Sequence, residues 1–279
     1  MRLFFLTLAA ALATISLGAQ NDSLVFFNGN WTSEQVGEGL TLRRCKFSGG
    51  LFDSAQTISV LEVKGRRLDI VEAPDRTLRK TTDFAKDSGA VAAVNAGFFI
   101  TRAPYGSAMF YRQDYEDKFP NGMDGKRPGR STRQTGAVVT TAGTLYIVKA
   151  DRMKGWERYI AGEDVVTSGP LMIIDGREEN VSVEGFNTTR HPRTGVGKKA
   201  DGTVVFVVVD GRFKGQAEGM SIFELQKVMG WLGCESALNL DGGGSSTLVV
   251  GDRVINHPCD NKLYDHEGER KVHNAIIVR

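Results

Sequence analysis

The sequence predicts an α+β fold, a single domain on a mixed β-sheet that closes with a C-terminal strand-helix-strand unit. Short apolar segments bounded by turn residues recur along most of the chain. An amphipathic helix pattern, "GMSIFELQKVMGWLG", occupies 219–233, and the apolar segments on either side of it each end in Asp-Gly. With 279 residues, 41% of them hydrophobic and 24% charged, the composition is that of an ordinary globular protein.

The first residues, 1–19, have the layout of a secretory signal peptide. In "MRLFFLTLAAALATISLGAQND", Arg2 precedes an apolar run that reaches Leu17, and small residues stand before Gln20. We expect cleavage after Ala19 and an exported protein, periplasmic or extracellular. The run is too short for a membrane anchor, so no stable membrane insertion is expected after cleavage.

Charge and cysteine content narrow the function only slightly. A net charge of +2 gives no reason to expect a nucleic-acid partner. The three cysteines allow at most one disulfide, and Cys45–Cys259 is the pairing left open, whereas Cys234 is expected to be a small buried side chain.

The N-terminal part of the domain, 20–89, is predicted to hold strands and a helix. "QTISVLEVKGRRLDIVEA" (56–73) is typical of two strands joined at Lys64 and Gly65, and "RTLRKTTDFAKDSG" (76–89) of a helix that ends at Gly89.

The core, 90–279, begins with a buried strand in "AVAAVNAGFF" (90–99) that runs into Asn95. A long polar stretch follows at 111–134, either a lid or a surface excursion. Two strands joined at Ala142 and Gly143 come next, then "DVVTSGPLMIIDGR" (164–177) and "RHPRTGVG" (190–197).

The C-terminal unit predicts where two carboxylates lie. Ser221 and Glu224 form a capping-box pattern at the start of the helix. One helix face is apolar, with Ile222, Leu225, Val228, Met229 and Leu232. A strand, a helix and a strand of these lengths suggest a right-handed crossover between neighbouring parallel strands, which would place Asp210 and Asp241 at the same sheet edge. A hairpin turning at Gly251 and Asp252 and a closing strand at 272–279 complete the chain.

The stretch "LNLDGGGSSTLVV" (238–250) predicts a binding site. Glycines let the backbone approach a ligand closely, so the amides of Gly242, Gly243 and Gly244 can point at an anion or sugar oxygen beside Asp241, and Ser245 and Ser246 add hydroxyl donors. The alternative is a tight strand-to-hairpin turn.

Other polar positions also have two interpretations. Asp210 in "VVDGR" could be a turn residue, Asn95 a satisfied buried amide, and Ser168 with Gly169 an ordinary turn before Pro170. Asn239, two residues before Asp241, is a candidate for substrate binding.

Two basic segments are candidate anion sites. In "RHPRTGVG", Arg190, Arg193 and the hydroxyl of Thr194 suit a phosphate, and the alternative is a solvated basic loop. "GKRPGRSTR", with Lys126, Arg127, Arg130 and Arg133, is expected to be a solvated loop, with a substrate clamp as the alternative. The spacing of His257, Cys259, His266 and His273 matches no zinc pattern, so no cofactor is predicted.

Several motifs in order resemble the phosphodiester glycosidase family, namely "AVNAGFF", "TSGPLMI", "RHPRTGVG", "VVDGR", "GMSIFEL" and "ALNLDGGGSSTL". The resemblance covers about Ala90 to Arg279. It departs mildly at Ala96, where the family often has glycine, and at Gly195 and Val196, where it often has Ala-Ile. Bacterial members are exported, some labelled as exopolysaccharide proteins.

The resemblance implies an exported hydrolase, similar to an alpha-N-acetylglucosaminidase, that cleaves a glycosyl 1-phosphodiester at the anomeric C–O bond. Departure of phosphate builds positive charge on the sugar ring and negative charge on the leaving group. Asp210 and Asp241 would serve the ring and the water or nucleophile, as in other glycosidases. Arg193 and Arg212, with the glycine-loop amides, would serve the phosphate.

Two alternatives stay open at this point. One is a phosphodiesterase that attacks phosphorus with a divalent cation held by Asp210 and Asp241. The other is a glycan-binding envelope protein that does not turn its ligand over. In all three cases the partner is a glycan or sugar phosphate.

Overall fold

The computed structural model describes residues 22–120, 133–153 and 155–279. The predicted signal peptide and the basic residues Lys126, Arg127 and Arg130 lie outside the described residues. The helices are α1 (22–27), α2 (Thr81–Asp87), α3 (Gly185–Thr188) and α4 (Ile222–Trp231). The strands are β1 (Thr32–Gly37), β2 (Leu40–Phe47), β3 (Gln56–Val63), β4 (Leu68–Glu72), β5 (Ala92–Asn95), β6 (Tyr111–Gln113), β7 (Glu116–Phe119), β8 (Gly136–Thr141), β9 (Thr144–Lys149), β10 (Asp164–Ser168), β11 (Leu171–Ile174), β12 (Arg177–Glu178), β13 (Arg193–Lys199), β14 (Val204–Val209), β15 (Cys234–Asn239), β16 (Leu248–Val250), β17 (Arg253–Val254) and β18 (Asn274–Val278).

The strands form three sheets, and the α+β class is confirmed. The largest has the order β1-β2-β3-β14-β13-β15-β11-β12, and the two five-stranded sheets have the orders β7-β6-β10-β8-β9 and β17-β16-β5-β18-β4. The N-terminal strands β2 and β3 pair with each other, and β3 pairs with β14, so both parts of the chain build one sheet.

Strand β14 is buried on both faces, which explains its continuous apolar sequence. Val204, Phe206 and Val208 face a core shared by all three sheets. Val205 and Val207 face the opposite side, where α4 covers the large sheet.

The predicted apolar face of α4 is confirmed, because Ile222, Leu225, Val228 and Met229 are all buried. The predicted capping box also forms: the Glu224 amide donates to Ser221 Oγ at 3.2 Å, and the Ser221 amide donates to Glu224 Oε2 at 2.7 Å. The two reciprocal bonds satisfy amides that would otherwise be unpaired at the helix start.

The expected adjacency of β14 and β15 is wrong. Strand β13 lies between them and pairs antiparallel with both. β14 and β15 therefore run in the same direction with β13 between them. Asp210 and Asp241 follow the carboxyl ends of these two strands, at the same edge of the sheet. The expectation failed because strand-helix-strand spacing does not reveal that an earlier strand occupies the intervening position.

The cysteines do not form the disulfide considered above. Cys45, Cys234 and Cys259 are free and buried. Burial raises the pKa of Cys45 to about 11 and of Cys234 to about 12, so both are packing groups rather than thiolates at neutral pH. Among the described residues, no helix has the length and apolar character needed to cross a membrane.

Candidate functional site

The glycine stretch leaves β15 as a short 3-10 turn, Gly243–Ser245, next to the start of β13. Gly243 has a φ of +65°, which strongly favours glycine, and its amide donates to the Pro192 carbonyl at 2.9 Å. A Cβ on Gly243 would lie 3.0 Å from Arg212 Nη2, and one on Gly244 would lie 2.5 Å from Arg270 Nη2. The glycines therefore let two arginines approach the backbone beside Asp241.

Asp241 is a carboxylate with altered acidity at the start of this loop. Burial raises its pKa to about 6, against the lowering effects of the Ser245 hydroxyl, the Arg270 charge, the Gly242 amide and the Arg133 charge. Asp241 as a whole residue is still partly exposed. A carboxylate with a raised pKa, in a partly exposed residue under the influence of two cations, is a strong candidate for chemistry.

Asn95 positions Asp241 through the backbone of Asp241. Its Nδ2 donates to the Asp241 carbonyl at 2.7 Å, and its Oδ1 accepts from Thr194 Oγ1 at 2.9 Å and from the Thr247 amide at 3.1 Å. Asn95 and Thr194 are fully buried. These contacts favour a positioning role for both residues, and their direct contact with substrate stays a prediction.

A second buried network joins β10 to β15. Ser168 Oγ donates to the Asn239 carbonyl at 2.8 Å, and Asn239 Nδ2 donates to the carbonyls of Gly169 and Leu240, each at 2.8 Å. This network fixes the strand end from which Asp241 emerges. Substrate binding by Ser168, Gly169 and Asn239 likewise stays a prediction.

Four polar atoms at the glycine loop are buried without a hydrogen-bond partner among the described residues. They are Asn239 Oδ1, Ser245 Oγ, Ser246 Oγ and Thr247 Oγ1. The Ser245 hydroxyl lies near enough to Asp241 to lower its pKa but outside hydrogen-bond geometry. Buried polar groups are nearly always paired, so this concentration marks a place for ligand or water oxygens.

Arg193 is a buried cation at the start of β13, with 1% of its surface exposed. Its Nε donates to the Met220 carbonyl at 2.8 Å, and its Nη2 donates to the carbonyls of Phe186 and Thr189 at 2.7 and 2.8 Å. No carboxylate in the described part of the chain forms an ion pair with it, and burial lowers its pKa to about 10. A buried charge without a counter-ion is costly, which suits a cation that meets an anionic ligand.

Arg133 extends this positive region. Its guanidinium lies 3.9 Å from the centre of the Phe186 ring, and that of Arg193 lies 4.8 Å from it. The charge of Arg133 lowers the pKa values of both Arg193 and Asp241. Neighbouring Arg190, by contrast, is neutralised by an ion pair with Glu224 at 2.6 Å.

Arg212 lies at a cavity of about 300 Å³ beside the glycine loop. It is exposed, its Nη1 lies 3.6 Å from Cys259 Sγ, and it has no ion pair within the described residues. The cavity is lined by Arg212, Phe213, Cys259, Asp260, Lys262 and Arg270. Arg270 pairs with Asp260 at 2.5 Å, so three cations and one carboxylate leave the cavity positively charged.

Asp210 has a different environment from Asp241. It is 1% exposed, and its Oδ1 accepts from Asn256 Nδ2 at 3.1 Å and from the His257 amide at 2.9 Å. Its Oδ2 lies 2.8 Å from His257 Nδ1. With both oxygens occupied by protein groups, Asp210 is placed to orient His257, and its predicted direct role at the sugar ring stays untested.

Sequence reasoning missed His257 and Arg270 as site residues. In the sequence, His257 suggests only a metal ligand. No group of three or more His, Cys, Asp or Glu side chains in the described residues is arranged to hold a metal ion. The signal for both was weak, because they lie in the irregular segment between β17 and β18, which has no periodic pattern.

The fold and site define a class of protein: a β-rich α+β domain in which a carboxylate on a glycine loop stands among arginines. Residues 88–279 match the family model described as Phosphodiester glycosidase, and the chain belongs to that family. Two of its curated relatives, from Mus musculus and Bos taurus, are named as N-acetylglucosamine-1-phosphodiester alpha-N-acetylglucosaminidases, which are glycosidases.

Two curated proteins are similar over short stretches. The SPbeta prophage-derived uncharacterized protein YomE of Bacillus subtilis is 38% identical over 71 residues, 25% of this chain and 11% of that protein. The N-acetylglucosamine-1-phosphodiester alpha-N-acetylglucosaminidase of Mus musculus is 29% identical over 100 residues, 36% of this chain and 19% of that enzyme. The aligned part thus spans less than a fifth of either relative.

A solved structure shares the fold over most of the chain. It is the catalytic domain of zebrafish N-acetylglucosamine-1-phosphodiester alpha-N-acetylglucosaminidase, described as auto-inhibited by its pro-peptide. The TM-score is 0.67 at 15% identity, over 89% of this chain and 83% of the zebrafish chain.

Proposed function

We propose that this protein is an exported hydrolase that cleaves glycosyl 1-phosphodiesters at the anomeric C–O bond. The observation that carries the proposal is the position of Arg212, a cation with no ion pair among the described residues, directly over Gly243 in the loop that begins at Asp241. A carboxylate and an uncompensated cation at one loop match the two charges that develop when a sugar and a phosphate separate.

The phosphate is assigned to the arginine side of the site. Arg212 supplies charge and donors. The Gly243 amide does not add to them, because it donates to the Pro192 carbonyl at 2.9 Å. Arg193 is the second candidate: its Nε and Nη2 are held by carbonyls, but its Nη1 has no hydrogen-bond partner among the described residues. Burial lowers the pKa of His191, and the charges of Arg193 and Arg212 lower it further, so the two arginines belong to the same positive region.

The sugar is assigned to the Asp241 side. Its carboxylate, ionised above pH about 6, stabilises the positive charge that develops on the ring. The unpartnered hydroxyls of Ser245 and Ser246 and Oδ1 of Asn239 are available to sugar hydroxyls or to ordered water. The family relation supports N-acetylglucosamine as the first sugar to test.

The test compares a phosphodiester with a substrate that lacks phosphate. Arg212→Ala and Arg193→Ala should each slow hydrolysis of the methyl phosphodiester of N-acetylglucosamine 1-phosphate by roughly ten- to hundredfold, the value of a charge-assisted contact. Hydrolysis of nitrophenyl N-acetylglucosaminide, which carries no phosphate, should fall much less. Arg177→Ala, at an exposed position on β12, is the matched control.

Equal losses on both substrates would move the phosphate away from the altered arginine. An unaltered enzyme that hydrolyses no member of a panel of glycosyl 1-phosphodiesters, with different sugars, would contradict the proposed function itself.

A further inference from the structure

The geometry points to His257 as the group that takes the proton from the attacking water, with Asp210 as its positioning residue. This inference rests on the proposed function and adds a catalytic residue to it. A mechanism that uses both Asp210 and Asp241 needs a free carboxylate oxygen on each. Both oxygens of Asp210 are occupied by Asn256 and His257, so another group has to activate the water.

The imidazole of His257 is held on three sides. Its Nδ1 lies 2.8 Å from Asp210 Oδ2. The Tyr264 ring stacks on it at 4.0 Å and 12°, and the His266 ring at 4.4 Å and 28°. Two rings cannot occupy the same face at these distances, so Tyr264 and His266 cover opposite faces.

Only the edge that carries Nε2 is left. The His257 side chain is 22% exposed, and within the described part of the chain Nε2 is neither buried without a partner nor hydrogen-bonded to another group. With Nδ1 and both faces covered, this edge accounts for the exposure. An imidazole oriented by a buried carboxylate, with its second nitrogen open, is the arrangement of a general base.

The pair is connected directly to the glycine loop. Asn256 Nδ2 donates both to Asp210 Oδ1 and to the Ser246 carbonyl, and Asn256 Oδ1 accepts from the Leu248 amide at 2.9 Å. On the other side, Tyr264 contacts the ring of Phe213, which lines the arginine cavity, at 5.0 Å. His257 is thus fixed between the glycine loop, which begins at Asp241, and the arginine cavity.

In the step that follows from this placement, the oxygen of a water forms a bond to the anomeric carbon as His257 Nε2 takes one proton from it. The bond from that carbon to the phosphate oxygen breaks, and its electron pair leaves on the phosphate. Asp210 holds the other ring proton on Nδ1 and stabilises the imidazolium, which then returns its proton to solvent.

Chemical rescue tests the inference with the methyl phosphodiester of N-acetylglucosamine 1-phosphate as substrate. His257→Ala should lower turnover by about a hundredfold or more. Added imidazole should enter the slot between Tyr264 and His266 and restore part of the activity in proportion to its concentration. His266→Ala is the control, because it removes a stacking ring of the same kind, and its activity should not rise with imidazole.

Each outcome decides between the alternatives. Near-normal activity of His257→Ala would overturn the inference, and so would a folded but inactive variant that imidazole does not restore. In both cases, turnover by the wild type leaves the proposed function standing. If His257→Ala does not fold, folded His257→Gln replaces it: a hundredfold loss supports the inference and near-normal turnover overturns it. Absence of wild-type turnover would remove the proposed function and this inference with it.

Discussion

At the scale of single residues, Asp241 and Asp210 show how environment separates two carboxylates that look alike in the sequence. Both follow an apolar strand and precede glycine. Asp241 is partly exposed with a pKa raised to about 6 by burial, whereas Asp210 is covered by Asn256 and His257. Only the first is placed to act on a ligand directly.

Asp241→Asn should lower kcat by several orders of magnitude, because the amide cannot carry the negative charge that the ring requires. In the unaltered enzyme, kcat/KM should fall as the pH drops below about 6, where Asp241 takes up a proton. A pH-rate profile measures both effects, and near-wild-type turnover of Asp241→Asn at neutral pH would contradict the assignment.

The same substitution should stabilise the fold at neutral pH. The pKa of Asp241 is higher in the folded state than in the unfolded state. The stability that the protonated carboxyl group contributes to the fold is therefore complete below the unfolded pKa near 4, and it is lost as the pH rises through about 6. The unfolding free energy of Asp241→Asn, measured with denaturant, should therefore rise relative to that of the wild type between pH 4 and 7.5 by on the order of 1–2 kcal/mol. A constant difference across that range would mean that Asp241 is not perturbed.

At the scale of elements, the glycine loop has two separable functions, a backbone turn and a close approach to arginine. Gly243 and Gly251 have nearly equal φ angles, +65° and +62°, but a Cβ would meet Arg212 only at Gly243 and nothing within 4 Å at Gly251. The two positions form a matched pair.

Gly243→Ala and Gly251→Ala should each cost about 1–2 kcal/mol of stability, because alanine is strained at positive φ. Only Gly243→Ala should also slow phosphodiester hydrolysis, because its methyl group displaces Arg212. Thermal unfolding and steady-state kinetics measure the two quantities separately. Equal kinetic effects at the two glycines would favour the plain-turn interpretation of the loop.

The elements also show what the sequence could and could not predict. The capping box of α4 and the hairpin of β16 and β17 follow from local patterns, and the sequence predicts both. The insertion of β13 between β14 and β15 depends on pairing between distant segments, which no local pattern encodes. His257 was missed for a related reason, because its partner Asp210 is 47 residues away.

At the scale of the whole molecule, the two five-stranded sheets meet around a polar residue, His273, directly before β18. It is fully buried, with edge-on contacts to Tyr111 at 5.8 Å and Phe119 at 5.1 Å. Its Nε2 lies 3.5 Å from Glu72 Oε2 without a hydrogen bond, and burial lowers its pKa to about 4. The neutral imidazole is therefore the form that the fold accommodates.

Acid should destabilise the whole fold through His273. Because the pKa of His273 is lower in the folded state than in the unfolded state, the stability that its neutral imidazole contributes is complete above about pH 6.5 and is lost as the pH falls towards 4. His273→Gln lowers stability at every pH but removes this dependence, so its loss of unfolding free energy between pH 7.5 and 4.5 should be smaller than that of wild type by on the order of 2 kcal/mol. Exposed His266→Gln is the control, and an unchanged pH dependence in His273→Gln would contradict the assignment.

The position of bond cleavage is the most direct test of the function proposed for the molecule. Hydrolysis of the methyl phosphodiester of N-acetylglucosamine 1-phosphate in oxygen-18 water, followed by mass spectrometry of both products, locates the bond that breaks. Attack at the anomeric carbon predicts that the label appears in the sugar and is absent from methyl phosphate. Label in a phosphate product would show attack at phosphorus, as in a metal-dependent phosphodiesterase, and the absence of hydrolysis would indicate binding without turnover; either result would contradict C–O cleavage by this site.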